Sequence, residues 1–406
     1  MITPSQARPW GPGARERTTA LPLDAALWPT PGQELLLRAA LTPGPGALEA
    51  WEAWKGEHDL IESELDHGSF RLLPLVYRNL LAQGADEPLM PRLKGIYRYW
   101  WCSNQRLFHR AAAVIRALEQ AGIRTLVLKG TAASVAYYRD RGARPMGDID
   151  LLVSHDQAPA AVARLGALGL RPARPRVADL IRYQHSVRMV HDTGEALDLH
   201  WHVLAECVHR DADHGFWKRA VPIHVLDAPS VALGPTDALL HAIVHGMRWN
   251  AEPTVRWVAD AMTILRSSED AIDWVGLERE ATRLQVVLRL RSGLEYLEER
   301  MDAPIPYRAL TRLRGTRAAS IEHLERRVLT LGADGRRLQV GHLLLVLIQY
   351  LRFVSRMNAF QALAETPAYL RYRLRGRRGP LFDAMRFVAR GVRMLSWRRI
   401  PAGPSS

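Results

Sequence analysis

Asp148 and Asp150 stand one residue apart just before an apolar run, in Arg144-Pro-Met-Gly-Asp148-Ile-Asp150-Leu-Leu-Val153. Successive strand side chains alternate faces, so both carboxylates point one way while Ile149 points into the core. Like charges that close repel, and a bound divalent cation relieves the repulsion. Upstream, the apolar stretch Leu126-Val-Leu-Lys129-Gly130 reads as a strand ending in a glycine, and Thr131 to Tyr138 reads as a helix. Strand, glycine turn and helix N-terminus together form a phosphate seat, in which backbone N–H groups meet an anion. The pattern predicts a phosphate site beside a metal site.

A third acid supports that expectation. Gln184–Val190 and Ala196–His202 alternate at strand period, and His191-Asp-Thr-Gly194 between them has turn chemistry. On the second strand Leu197, Leu199 and Trp201 share one face, and Asp198, His200 and His202 share the other. A hairpin that brings Asp198 beside Asp148 and Asp150 gives a three-carboxylate site. Such hard oxygen ligands suit magnesium, which keeps several waters and bridges substrate phosphates. The competing reading of Asp148 and Asp150 is an acidic turn that caps a neighbouring helix, and that of Asp198 a strand-edge carboxylate.

The ordered set resembles the DNA polymerase β-like nucleotidyltransferase superfamily: a strand-glycine-small residue turn, then Asp-x-Asp, then a lone Asp on a later strand. Within it the chain looks like the bacterial uncharacterised nucleotidyltransferase family. That resemblance rests on Leu128-Lys-Gly130, on Arg144-Pro-x-x-Asp-Ile-Asp-Leu-Leu-Val153 and on Asp198-Leu-His-Trp201. It extends to Glu34-Leu-Leu-Leu37, Leu73-Pro-Leu75, His241-Ala-Ile-Val-His245 and Arg256-Trp-Val-Ala-Asp260, and so covers roughly residues 30 to 300. One departure is the phosphate turn, where the superfamily usually has Gly-Ser or Gly-Gly and this chain has Gly130-Thr131 after Lys129.

The resemblance implies an α+β fold, with a small mixed β-sheet nucleotidyltransferase core flanked by N-terminal and C-terminal helical regions. It implies Mg2+-dependent transfer of a nucleoside monophosphate from an NTP to an unidentified hydroxyl-bearing acceptor, with Mn2+ as an alternative ion. A sugar, peptide or natural-product acceptor is in keeping with the family. Asp148, Asp150 and Asp198 are the expected metal and catalytic residues. Lys129, Gly130, Thr131 and Arg144 are the expected nucleotide and phosphate contacts, although Lys129 also reads as a solvated lysine and Arg144 as a partner of Asp140. His185 and His200, opposed on the hairpin, are candidate substrate contacts or hydrogen-bonded structural histidines. Two further functions stay open: nucleotidylation of RNA or protein in the manner of toxin–antitoxin relatives, and a non-catalytic nucleotide-binding scaffold.

Composition sets bounds. The 406 residues, 48% hydrophobic and 24% charged, are those of an ordinary soluble globular protein. Cys102 and Cys207 provide neither a disulfide framework nor a zinc spacing, in keeping with a reducing cytoplasm. No segment reaches the roughly 20 apolar residues of a membrane span, and Val340–Leu351 reads as a buried helix. The expected location is the cytoplasm, with the membrane periphery as an alternative.

The chain divides into a disordered leader at 1–32, a helical region at 33–121, the nucleotidyltransferase core at 122–235, a helical region at 236–365 and a basic amphipathic tail at 366–406. Trp51, Trp54, Trp100 and Trp101 are expected to pack between helices of the first helical region. Strands are expected at 125–129, 149–154, 184–190, 196–202 and 221–225, and helices at 157–166, 241–249, 256–265, 274–299 and 324–351. His241 and His245, one turn apart, are expected at an interface. The net charge of +13 is concentrated at the end: Leu370–Ser406 holds ten arginines against one acid, Asp383. Arg386, Arg390 and Arg393 recur at helical spacing among Phe387, Met394 and Trp397. That pattern fits a solvated charge run, an anionic membrane surface or nucleic acid.

Overall fold

The computed structural model describes residues 28–60, 64–248, 255–330 and 335–374. The leader to residue 27 and the Arg386–Trp397 pattern of the tail lie outside the described residues. The first helix, α1 (Pro31–Leu41), begins on a capping box in which Thr30 accepts from the Gln33 N–H and the Gln33 side chain accepts from the Thr30 N–H. Next come α2 (Pro45–Glu57), α3 (His67–Phe70), α4 (Leu73–Ala82) and the 31-residue α5 (Met90–Gln120). Along α5, Leu93, Trp100, Asn104, Phe108, Ala111, Ile115 and Leu118 recur at helical spacing and are buried. Trp51, Trp54 and Trp100 are also inside, whereas Trp101, expected between helices, is 44% exposed, because it falls at the edge of the buried stripe of α5.

The α/β part contains β1 (Leu126–Val127), α6 (Lys129–Ala133), β2 (Ile149–Leu152), α7 (Ala158–Ala167), β3 (Leu170–Pro172), α8 (Val177–Tyr183), β4 (Ser186–His191), β5 (Ala196–His200), α9 (His214–Lys218), β6 (Val221–Val225) and β7 (Ala228–Ala232). Among the described residues these strands form one seven-stranded mixed sheet in the order β3-β4-β5-β2-β1-β7-β6. β2 pairs parallel with β5 and β1 parallel with β7; the other neighbours are antiparallel. The three-residue β3 and the five-residue β7, which carry little alternation, go beyond the sequence expectation. The helix expected over 131–138 changes character at Ser134, where one π-helical turn, Ser134–Tyr138, follows α6.

Helices α10 (Pro235–Gly246), α11 (Arg256–Ser267), α12 (Trp274–Arg283), α13 (Val287–Met301), α14 (Tyr307–Gly315), α15 (Ser320–Thr330), α16 (Gly335–Val354) and α17 (Ala359–Leu374) complete the chain. The single helix expected over 274–299 is broken because Gln285 adopts a left-handed φ of 55°, which separates α12 from α13. Trp249, the expected end of α10, lies outside the described residues. Helix α16 exposes Leu347 and Leu351, and no described helix is long and apolar enough to cross a membrane. One core joins the N-terminal helices to α10–α14, and a second lies between the sheet and α5 with α7.

Candidate active site

The acids meet because β2 and β5 run parallel in a register that sets Asp150 directly opposite Asp198. The apolar faces of both strands make this pairing: Ile149, Leu151, Leu197 and Leu199 are all at most 1% exposed. Trp201, just past β5, continues that apolar face and is equally buried. A one-residue slip would drive both carboxylates into this core, so burial fixes the register. β4 lies on the other edge of β5 and places Arg188 opposite Asp198.

Asp150 is the most enclosed of the three acids, and its Oδ1 is shared by two donors. Lys129 Nζ donates to it at 2.6 Å and His200 Nε2 at 3.0 Å. Burial favours the neutral carboxyl, but the Lys129 charge and the His200 hydrogen bond outweigh it and hold Asp150 below the usual carboxylate range. Asp198 is shifted the other way: burial, then the negative charges of Asp150 and Asp148, raise its pKa. Its Oδ1 is buried without a hydrogen-bond partner among the described residues, and Arg188 Nη1 stands 3.9 Å away. Asp148 precedes β2, is about one-third exposed and faces the same Arg188 group at 3.7 Å.

One ligand atom each from Asp150, Asp198 and His200 lie within 4.8 Å of one another, a set that could hold a metal ion. This set has His200 where the sequence reading has Asp148. An orphaned carboxylate oxygen, a second carboxylate and an imidazole are a donor set that a divalent cation can satisfy, so the residues fit a metal. His185 stacks edge-on to His200, with ring centroids 5.4 Å apart, and burial first, then the Arg248 charge, drives its pKa well down. His202 turns elsewhere: its Nδ1 donates to Asp213 Oδ2 at 2.6 Å, so it takes no part in the acid cluster.

The turn after β1 is tightly built. Lys129 takes a left-handed φ of 46°, which swings the chain from strand into α6. Gly130 follows because a Cβ there would lie 2.8 Å from Met146 Cγ and would also strike the Arg144 guanidinium. The N–H groups at the start of a helix lack intrahelical acceptors and stay available to an anion. Thr131 does not offer its hydroxyl to that anion, since the side chain is buried with Oγ1 3.8 Å from Met146 Sδ.

Arg144 is committed elsewhere too. Nε and Nη2 make a bidentate pair with Asp260 of α11, each bond 2.7 Å, and the Tyr138 hydroxyl donates to the same carboxylate. Asp140, the partner considered from sequence, instead meets Arg78 and Tyr97. Beside this pair lies a cavity of about 100 Å3, lined among others by Lys129, His241, His245 and Trp257. The His241 and His245 rings stack 5.3 Å apart, and burial first, then the Lys129 charge, pushes His241 down to about 3. The expected interface role of these histidines thus takes the form of a cavity wall next to Lys129. Sequence reasoning missed Arg188, whose strand-face position opposite Asp198 was readable once the hairpin had been drawn.

A solved structure of an antigenic nucleotidyltransferase-like protein from Paracoccidioides brasiliensis is similar at 11% identity and a TM-score of 0.31, covering 50% of this chain and 92% of that one. No curated protein matches the chain. The model of the family described as uncharacterised nucleotidyltransferase matches residues 69–302, a span that contains the whole β1–β7 sheet, the Asp148–Asp150–Asp198 cluster and the Arg144–Asp260 pair. The chain therefore belongs to the uncharacterised nucleotidyltransferase family.

Proposed function

We propose that the chain transfers a nucleoside monophosphate from an NTP to a hydroxyl-bearing acceptor, with Asp148, Asp150 and Asp198 together with His200 as the residues that would hold Mg2+ or Mn2+. The observation that carries this reading is the parallel register of Asp150 and Asp198, together with a buried Asp198 oxygen that has no hydrogen-bond partner among the described residues. When bound, a divalent ion neutralises phosphate charge and lowers the pKa of a coordinated hydroxyl.

The chain's own groups do the rest. The acceptor oxygen attacks the α-phosphorus, the bond to the bridging oxygen breaks and pyrophosphate leaves. Asp198, directly across the ladder from Asp150, takes the acceptor proton. His200 orients Asp150 through its Nε2–H bond. Lys129 adds positive charge beside the β- and γ-phosphates, and the Gly130 and Thr131 N–H groups at the start of α6 cradle them. Arg144 acts at one remove, by fixing the loop that leads to Asp148 against Asp260.

The test is incubation of the full chain with Mg2+, cell extract and each of the four α-labelled NTPs. Label should pass to one extract fraction with wild type and not with D148A/D150A, and that fraction identifies the acceptor class. Absence of transfer with every nucleotide in both Mg2+ and Mn2+ would refute the reading.

A further inference from the structure

The five-residue loop Arg144–Asp148 collects more positive charge than the acids beside it neutralise. Three guanidinium groups approach its backbone. Arg144 is matched by Asp260, as described above. Arg71, at the end of α3, lies over the Trp100 ring, 5.8 Å from its centroid. Its Nη2 would be 3.1 Å from a Cβ on Gly147, so the guanidinium lies along the Gly147 backbone immediately before Asp148. Arg256 opens α11 and donates through Nη1 to the Pro145 carbonyl at 3.0 Å.

Neither Arg71 nor Arg256 forms a carboxylate ion pair among the described residues, and Arg71 Nε is buried without a hydrogen-bond partner. The Asp260 and Asp148 charges reach Arg256 and the Asp148 charge reaches Arg71, but Asp260 is committed to Arg144 and the closest cation to Asp148 is Arg188. Burial, followed by the charges of Arg144 and Arg71, pushes the Arg256 pKa down to about 9, and burial with Arg144 lowers that of Arg71. A protein that gathers half-buried guanidinium groups without acids to meet them has a site for an anion that it does not itself supply.

We propose that Arg71 and Arg256 form a pyrophosphate-binding clamp on the Arg144–Asp148 loop, which takes the β- and γ-phosphates of the nucleotide and holds the leaving pyrophosphate. The proposal rests on the nucleotidyl-transfer reading. Two planar forks, from α3 and α11, at one loop that ends in Asp148 suit an anion with several oxygens on adjoining phosphorus atoms, and a single carboxylate would satisfy only one of them. Arg144, neutralised by Asp260, then serves as a positioning residue that keeps the loop against the forks.

Titration of the full chain with ATP and, separately, with inorganic pyrophosphate, both with Mg2+, tests this in wild type, R71Q, R256Q, R71K and R256K. Each Gln variant should weaken both ligands at least about tenfold, and each Lys variant should recover part of that loss. The ligand-free Gln variants should melt no lower than wild type, because an unmatched buried cation has been removed. Wild type that binds ATP while the Gln variants bind ATP and pyrophosphate equally well would overturn the clamp and leave nucleotidyl transfer standing. Weaker binding accompanied by a lower melting temperature of the free protein, without recovery in the Lys variants, would reduce both arginines to structural roles and also overturn it. Wild type that binds neither ligand would remove the nucleotidyl-transfer reading itself.

Discussion

Lys129 Nζ and His200 Nε2 share one oxygen of Asp150, at 2.6 and 3.0 Å, while Asp198, directly across the ladder, keeps an oxygen with no hydrogen-bond partner among the described residues. One carboxylate of the pair is over-supplied with donors and the other is under-supplied. That asymmetry separates their chemistry: Asp150 is held ionised and Asp198 is pushed toward taking up a proton.

Removal of the Lys129 ammonium should therefore destabilise the protein and slow the reaction. K129M leaves Asp150 buried with His200 alone, at a cost of about 1–3 kcal/mol in a denaturant titration. Turnover should fall roughly 100-fold through lost charge support for the phosphates. A K129M protein as stable and as active as wild type would show that the pair is incidental.

His200 should matter both to the metal site and to the orientation of Asp150. H200A removes the Nε2–H bond and should lower Mn2+ affinity and turnover by roughly 10- to 100-fold. Metal titration followed by electron paramagnetic resonance reads the first quantity. Unchanged Mn2+ binding would remove His200 from the metal site.

The Arg144–Asp260 pair should be important for stability in a way that charge alone cannot restore. R144A leaves the buried Asp260 carboxylate without its ion-pair partner and with only the Tyr138 hydroxyl bond, which costs about 3–5 kcal/mol. R144K keeps the charge and loses the fork geometry, so it should regain only part of that stability. Full recovery by lysine would contradict the bidentate account.

Acid should weaken a different cluster first. Glu206 is buried against Arg289 Nη1 at 2.7 Å, with Arg248 at 3.5 Å. Burial opposes ionisation, but the Arg289 and Arg248 charges prevail and bring its pKa down to about 2 from an ordinary 4.5. A carboxylate depressed in the folded state contributes stability that is complete above pH 4.5 and is lost as pH falls from 4.5 toward 2. Wild type should lose stability steeply across that window, and E206Q, less stable at neutral pH, should show a shallower slope. Equal slopes would show that Glu206 does not control acid unfolding.

The parts of the site that could be read from sequence were those carried by short-range pattern. Asp148-Ile-Asp150 and Asp198-Leu-His200 declare a strand face, and Lys129-Gly130 declares a strand-to-helix turn. Pairing over long sequence distance was not legible. Arg144 meets Asp260 across 116 residues, and alternation cannot show which of several acids a guanidinium reaches. Arg71 and Arg256 come from two helix ends that only tertiary packing brings to one loop. The direction of the Thr131 side chain was not legible either, because the helix rotation that turns its hydroxyl toward Met146 depends on packing. Strand β3 is only three residues long and β7 alternates weakly, so their sheet positions depend on neighbours.

The most direct measurement compares D198N with wild type in two assays on the same preparation, melting temperature and transfer of an α-labelled NMP. An acid held near Asp150 and Asp148 for a divalent ion costs the free fold stability, so D198N should melt at or above wild type while transfer falls by at least about 1,000-fold. A D198N protein that melts lower than wild type, or that still transfers label at a comparable rate, would contradict the account.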